Sequence, residues 1–400
     1  MKIAIISIYS FPEGLAPTNR IKAYAKGLIA NGAKVKVFIP FPSFNYSPYK
    51  KHSESGNVEG IEYLYTSKIC KSKYKLIRGI SVVFGLRKLY GYYKTFQSIR
   101  KENIYNKMDC LIISTDDILN LYVFSLIANK IKAKKIFIFD EYPIPIRHKL
   151  KTKIPWWKTS LYKLVLKRMD AYVSISEKLK DYYCDLCYKR SFILSSITDT
   201  DRFENVKKIE NNCNYICYMG NMELTKDNVD LIIHSFAKFL ESGNPNVQLF
   251  LYGNPNESDK QKLVSIIKNY NLDKKVIFKG IAAYEDVPGI LSNAKLLVSS
   301  QPDTLRAAGG FPTKLGEYLM SAVPILISDV GENSKFVTNN KHVFFAKPNS
   351  IEDFTAKMKF IFSNYEHATS VAEEGKKYVL NHYSHIVQGK DLLKFIFKIK

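Results

Sequence analysis

Short apolar runs alternate with stretches of helical periodicity along almost the whole chain. Residues 3–8, 35–39, 109–114, 135–139, 170–174 and 191–194 are apolar runs of strand length and predict buried strands. Residues 18–30, 117–130, 157–168 and 176–187 carry apolar positions at helical spacing. This alternation predicts a parallel sheet with helices on both faces. The pattern fades across the polar residues 205–214 and then restarts. Strands are predicted at 215–219, 247–252, 275–279, 295–299, 324–327 and 343–345. Helices are predicted at 226–241, 257–269, 284–292, 312–321 and 351–363, with 365–398 helical to the end. The expected fold is therefore α/β, with two Rossmann-like doubly wound domains facing a central cleft, since ligands of such sheets bind beyond the C-terminal strand ends. The expected division is an N-terminal, acceptor-side domain over 1–205, a nucleotide-binding domain over 206–380, and a C-terminal helix over 381–400 that packs back on the first domain.

A chain of 400 residues suits two domains of this size. No apolar run approaches the roughly 20 residues that span a bilayer. The opening Met1-Lys2-Ile3-Ala4-Ile5-Ile6-Ser7-Ile8 lacks a small-residue cleavage site and reads as a first strand, which points to the cytoplasm. Cys184 and Cys187 form a C-x-x-C with Cys213 and Cys217 downstream, but the first two fall in a predicted helix and Cys217 in a predicted strand. A buried or helical thiol explains them better than zinc. Charge adds more. The chain has 60 Lys+Arg against 37 Asp+Glu, a net of +23. Residues 1–205 hold 36 basic and 17 acidic side chains, and residues 206–400 hold 24 and 20. A one-sided field of this kind suits a polyanion or an anionic membrane surface, and a solvated lysine-rich surface is the plain alternative.

Three segments carry candidate chemistry. Gly14-Leu15-Ala16-Pro17-Thr18-Asn19-Arg20 follows the first strand and opens a helix, with Thr18 as its expected cap and Arg20 as a phosphate or sugar contact. No G-x-G-x-x-G is present, so the dinucleotide fingerprint is missing. Tyr218-Met219-Gly220-Asn221 ends a strand, and Lys226 is expected near the start of the next helix. Gly220 admits a close ligand and Lys226 suits a diphosphate. The third segment is Gly309-Gly310-Phe311-Pro312-Thr313-Lys314-Leu315-Gly316-Glu317. Its glycines leave backbone N–H groups accessible, and Pro312 suits a first helical turn. Glu317 lies inside that helix, where a carboxylate gains nothing from capping, and reads as an acceptor for a hydroxyl pair such as a ribose diol. An exposed glutamate is the alternative.

With these motifs the chain resembles the retaining glycosyltransferases of family four, which have the GT-B fold and include enzymes of bacterial cell-surface polysaccharide biosynthesis. The resemblance covers nearly the whole chain. Residues 218–226 resemble the family's strand–Gly–x5–Lys element, with Asn221 at the place of its usual arginine. Val276–Gly280 resembles the strand whose following loop borders the nucleobase. Residues 309–317 align with the family's E-x7-E segment: Glu317 matches the second glutamate, implied to bind the donor ribose, and Gly309 stands at the first, implied to contact the transferred sugar. Ser176-Glu177-Lys178-Leu179 and Asp199-Thr200-Asp201-Arg202-Phe203 resemble family landmarks without assigned chemistry. Asp140 or Glu141 stands near a family histidine that contacts the donor sugar; turn carboxylates before Pro143 are the alternative.

The resemblance implies transfer of a hexose-type sugar from a UDP- or GDP-linked donor, with retention, to a glycan or lipid-linked glycan. Lys226, Glu317 and Glu141 are the expected catalytic residues; Gly220, Asn221 and residues 309–313 complete the donor site; Gly14, Arg20 and Asp140 form the acceptor-side or phosphate loop. No cofactor or metal is expected, because no D-x-D stands where a metal ligand is expected and lysine and helix N–H groups face the diphosphate. The expected location is cytoplasmic, peripheral on the inner face of the membrane. Gly309 motivates a second reading, a non-catalytic sugar-nucleotide-binding partner of another transferase. A nucleic-acid-binding role is the weaker alternative, since the aromatic residues form no RNA-binding motif.

Overall fold

The computed structural model describes residues 1–14, 16–41, 53–67, 86–115, 117–143, 156–206, 214–243, 246–304, 307 and 314–399. The chain divides into two compact units. Met1–Asp199 with His385–Lys400 form the first, and Thr200–Ser384 form the second.

In the first unit the strands are β1 (Lys2–Ser7), β2 (Lys34–Ile39), β3 (Ser55–Val58), β4 (Ile61–Tyr65), β5 (Cys110–Ser114), β6 (Lys134–Phe139), β7 (Ala171–Ser174) and β8 (Arg190–Ile193). They form one sheet in the order β3-β4-β2-β1-β5-β6-β7-β8. All pairs are parallel except β3 with β4, a hairpin turned by Glu59 and Gly60, both at positive φ (53° and 81°). The helices are α1 (Ala16–Ala30), α2 (Leu86–Tyr105), α3 (Ile118–Ile131), α4 (Trp156–Leu166), α5 (Glu177–Leu186) and, from the far end of the chain, α14 (His385–Phe397). Side-chain caps set two starts: Asp117 accepts from Asn120 N at 2.9 Å, and Ser176 from Leu179 N at 3.2 Å. Leu392, Phe395 and Ile396 of α14 join the core that covers β1, β2 and β5. The hairpin and α2 have no counterpart among the expected elements. Strand β3 is an exposed edge without an apolar run, and α2 shows large apolar side chains to solvent, so neither displays the pattern of a half-buried element.

In the second unit the strands are β9 (Asn214–Met219), β10 (Val247–Tyr252), β11 (Val276–Gly280), β12 (Leu296–Ser299), β13 (Ile325–Ser328) and β14 (Phe344–Ala346). They form an all-parallel sheet in the order β11-β10-β9-β12-β13-β14. The helices are α6 (Leu224–Asp227), α7 (Val229–Leu240), α8 (Glu257–Asn269), α9 (Val287–Ser292), α10 (Lys314–Met320), α11 (Asn333–Phe336), α12 (Ile351–Ser363) and α13 (Tyr365–His382). The sequence order reverses between β9 and β12, so the loops leaving those two strands diverge and open a crevice beyond their C-terminal ends. Gly220 and Ser300 follow those two strands.

Candidate active site

The turn after β9 is built for close approach. Gly220 N donates to the Tyr252 carbonyl at 2.9 Å, and Gly253 sits at φ 137° with its Cα facing the Gly220 carbonyl. A Cβ on Gly253 would meet that oxygen at 1.7 Å, and one on Gly220 would meet the Tyr218 hydroxyl at 2.4 Å. Both positions therefore require glycine. Asn221 is exposed beside them.

Lys226 is not at the start of a long helix. It lies in the single turn α6, which Asn228 ends in the left-handed region (φ 48°, ψ 42°) before α7 begins at Val229. Asparagine tolerates that conformation, and so the expected helix over 226–241 splits in two. Ser300 Oγ clamps the break, donating to the carbonyls of Asp227 and Asn228 at 3.0 and 2.8 Å. The loop leaving β12 thereby fixes the loop leaving β9.

Glu317 lies in the first turn of α10, and its Oε1 is ion-paired with Arg202 Nη1. Arg202 comes from the 3-10 turn Thr200–Phe203. Its guanidinium lies 3.7 Å from the centroid of the Tyr284 ring, and its Nη2 donates to the Tyr284 carbonyl at 2.6 Å. Arg202 thus links the Glu317 carboxylate to the loop that follows β11. Nothing in local spacing signals this contact, because 115 residues separate the two side chains. Gly309, Gly310, Phe311, Pro312 and Thr313 lie outside the described residues.

A second described lysine joins the site. Lys314 Nζ lies 4.4 Å from the Tyr218 ring centroid and 3.8 Å from Asp227 Oδ1. It would stand 3.0 Å from a Cβ on Gly220. Burial lowers the pKa of this ammonium; Asp227 opposes that and the Lys226 charge adds to it.

The first unit behaves differently from expectation at two residues. Arg20 is not a surface arginine: it is 6% exposed, and its guanidinium donates to the Tyr24 hydroxyl and the Leu194 carbonyl and pairs with Asp140 Oδ1 at 3.2 Å. Residues 20 and 24 share one face of α1, the face turned to the sheet, which draws the arginine inward. Thr18 does not cap α1, which begins at Ala16. Its hydroxyl instead donates to the Ser10 carbonyl at 2.7 Å, against Gly14. Asp140 and Glu141 stand at the C-terminal end of β6, both half-buried, with Asp140 committed to Arg20. Cys184 lies on α5 with its thiol 3.4 Å from Ser191 Oγ, Cys187 caps that helix, and Cys217 is buried in β9. Cys213 lies outside the described residues.

Residues 199–378 match the family of glycosyl transferases group 1. No curated protein matches the chain. Among solved structures, sucrose-phosphate synthase of Thermosynechococcus elongatus superposes with a TM-score of 0.72 at 13% identity, covering 100% of both chains. HepE of Anabaena, solved with UDP and glucose, superposes with a TM-score of 0.69 at 11% identity over 99% of both chains. The lipopolysaccharide outer core galactosyltransferase WaaB does so with a TM-score of 0.61 at 15% identity over 99% of both chains. At such identities the likeness is one of fold, shared with glycosyltransferases along the full chain. Residues 199–378 are thus similar to the glycosyl transferases group 1, and the chain as a whole has the two-unit α/β fold of the GT-B glycosyltransferases.

Proposed function

We propose that the chain transfers a hexose-type sugar from a nucleoside diphosphate sugar to a glycan or lipid-linked glycan, with retention at the anomeric carbon. The observation that carries this reading is the crevice at the reversal of strand order in the second unit, where Gly220, Lys226 and Glu317 occur within the family-matching segment. Glu317 accepts from the ribose hydroxyls, held in place by Arg202. Lys226 neutralises the diphosphate as the glycosidic bond breaks and negative charge gathers on the leaving group. The incoming hydroxyl attacks from the face that the diphosphate leaves, with the departing phosphate oxygen taking its proton. These protein cations take the part a metal would otherwise play. The likeness to HepE, solved with UDP and glucose, and to the galactosyltransferase WaaB supports a sugar nucleotide donor and a glycan acceptor.

Two substitutions test the donor site. Glu317→Ala and Lys226→Ala each remove a charge-assisted contact of about 1.5–3 kcal/mol, so each should lower the affinity for UDP or GDP by roughly 10- to 150-fold. Calorimetry reads the change, and the same titrations in excess EDTA should give the same affinities. Unchanged affinity in both variants, for a nucleotide that the unmodified chain binds, overturns the assignment.

A further inference from the structure

Lys314 is an unusual lysine. Its side chain is only 19% exposed, yet among the described residues its Nζ makes no hydrogen bond, and the Asp227 carboxylate at 3.8 Å lies beyond hydrogen-bond reach. Ammonium groups withdrawn from water ordinarily bond to carboxylates or carbonyls. Lys314 also lines a small cavity with Ser299, Gln301, Tyr318, Ser328 and Asn333. That cavity sits where β12, β13 and α10 meet, on the crevice side of the sheet. The ammonium lies against the Gly220 turn, 3.0 Å from where a Cβ on Gly220 would stand.

We propose that Lys314 is a second cation of the donor site, binding the nucleoside diphosphate from beneath the Gly220 turn while Lys226 binds it from α6. This deepens the donor reading above and rests on it. Electrostatics favours the arrangement. The turn carries the uncharged Asn221, so the segment from Gly220 to Lys226 supplies one cation to a diphosphate of two or more negative charges. The Lys226 charge already disfavours the Lys314 ammonium, and an anion bound by both would relieve that repulsion and add to affinity. Burial of Lys314 also strengthens its attraction to a phosphate oxygen relative to an exposed lysine. The Asp227 carboxylate, at 3.8 Å, leaves the ammonium unsaturated.

The test compares UDP with uridine, because a diphosphate contact is lost with the first ligand only. Lys314→Met should lower UDP affinity about tenfold or more and leave uridine binding within twofold. Lys314→Met with Asp227→Asn removes the ammonium together with its carboxylate, and keeps the comparison available should the single variant fail to fold. Circular dichroism checks both, calorimetry reads UDP and chemical-shift titration reads uridine. If the unmodified chain binds neither UDP nor GDP, the donor reading itself falls. If it binds UDP and the folded variant loses UDP and uridine equally, or loses neither, Lys314 is a structural lysine and the inference is wrong.

Discussion

A single ion pair links three segments of the second unit. Arg202 stacks on Tyr284 and bonds its carbonyl and the Glu317 carboxylate, using the planar fork that lysine lacks. Both partners are largely withdrawn from water, at 9% and 25% side-chain exposure, so the pair is screened less than a surface one. Arg202→Ala frees the Glu317 rotamer and the loop after β11 together. We expect nucleotide affinity to fall by roughly fivefold, about 1 kcal/mol. The preference for ribose over 2′-deoxyribose nucleotide should shrink with it, since the carboxylate proposed to read the diol is no longer held. Arg202→Lys should restore less than half of that preference. Ribose preference identical to the unmodified chain in Arg202→Ala would show that Glu317 needs no such partner. At this scale the sequence was legible where chemistry is local. The glycine turn at Gly220 and the helical place of Glu317 follow from short motifs, whereas the Arg202 partnership and the Lys314 position depend on which strands become neighbours. The inward turn of Arg20 is hidden for the same reason. A helix face turned to the sheet and a carboxylate 120 residues away, Asp140, draw it inward, and no window of sequence contains both.

At the scale of elements, the α/β alternation was readable because parallel strands buried on both faces are continuous apolar runs. Elements that break this rule were not. The β3–β4 hairpin is half solvated, and its Glu59-Gly60 turn was the one available signal. The closing helix shows what joins distant segments. Helix α14 packs on α1 at Gly27 and Gly389, where a Cβ on Gly389 would stand 2.3 Å from the Gly27 carbonyl carbon and one on Gly27 would stand 2.2 Å from the His385 carbonyl oxygen. Asn31 Nδ2 donates to the Ile386 carbonyl at 2.9 Å beside this crossing, and His385 N donates to the Thr198 carbonyl at 2.8 Å. Backbone on backbone leaves no flexible side chain to give way. Gly389→Ala should therefore cost about 1–3 kcal/mol by overpacking, at about 2–4 °C of melting temperature per kcal/mol for a unit of this size. Calorimetric melting reads the shift. UDP affinity should not change, because the residues proposed for the donor site belong to the other unit. A melting temperature equal to that of the unmodified chain would mean that the two helices separate at no cost.

Over the whole molecule, charge and exposed apolar surface fall on the same unit. Among the described residues no helix is long and apolar enough to cross a membrane. Helix α2 instead exposes Leu86, Leu89, Tyr90 and Tyr93, spaced as a single helical stripe. Its neighbour α3 exposes Leu119 and Leu126. Helix α4, packed on α3, exposes Trp156 at 81% and Trp157 at 52%, with Leu161 and Leu164 below them. Lys158 Nζ lies 5.2 Å from the Trp157 ring centroid, and Lys163 is exposed on the same helix. Large apolar side chains on adjacent helices are costly to leave in water and ordinarily mark a docking surface. Tryptophan beside lysine suits the boundary between headgroups and acyl chains. Residues 1–205 carry a net charge of +19, from 36 basic and 17 acidic side chains, so an anionic surface is attracted from a distance. Residues 76–85, 154 and 155, which share this mixture of apolar and basic character, lie outside the described residues. Docking of this surface on an anionic bilayer would bring the proposed transferase to a lipid-linked acceptor. Vesicle co-sedimentation tests it. The chain should pellet with anionic vesicles and stay in solution with neutral ones. Because each lysine near the surface contributes about 1 kcal/mol and salt screens it, binding should weaken as salt rises. Trp156→Ala with Trp157→Ala should weaken binding at every salt concentration, since it removes the apolar part of the contact. Protein that stays in the supernatant with anionic vesicles at low salt would exclude peripheral attachment and turn the search toward a soluble acceptor.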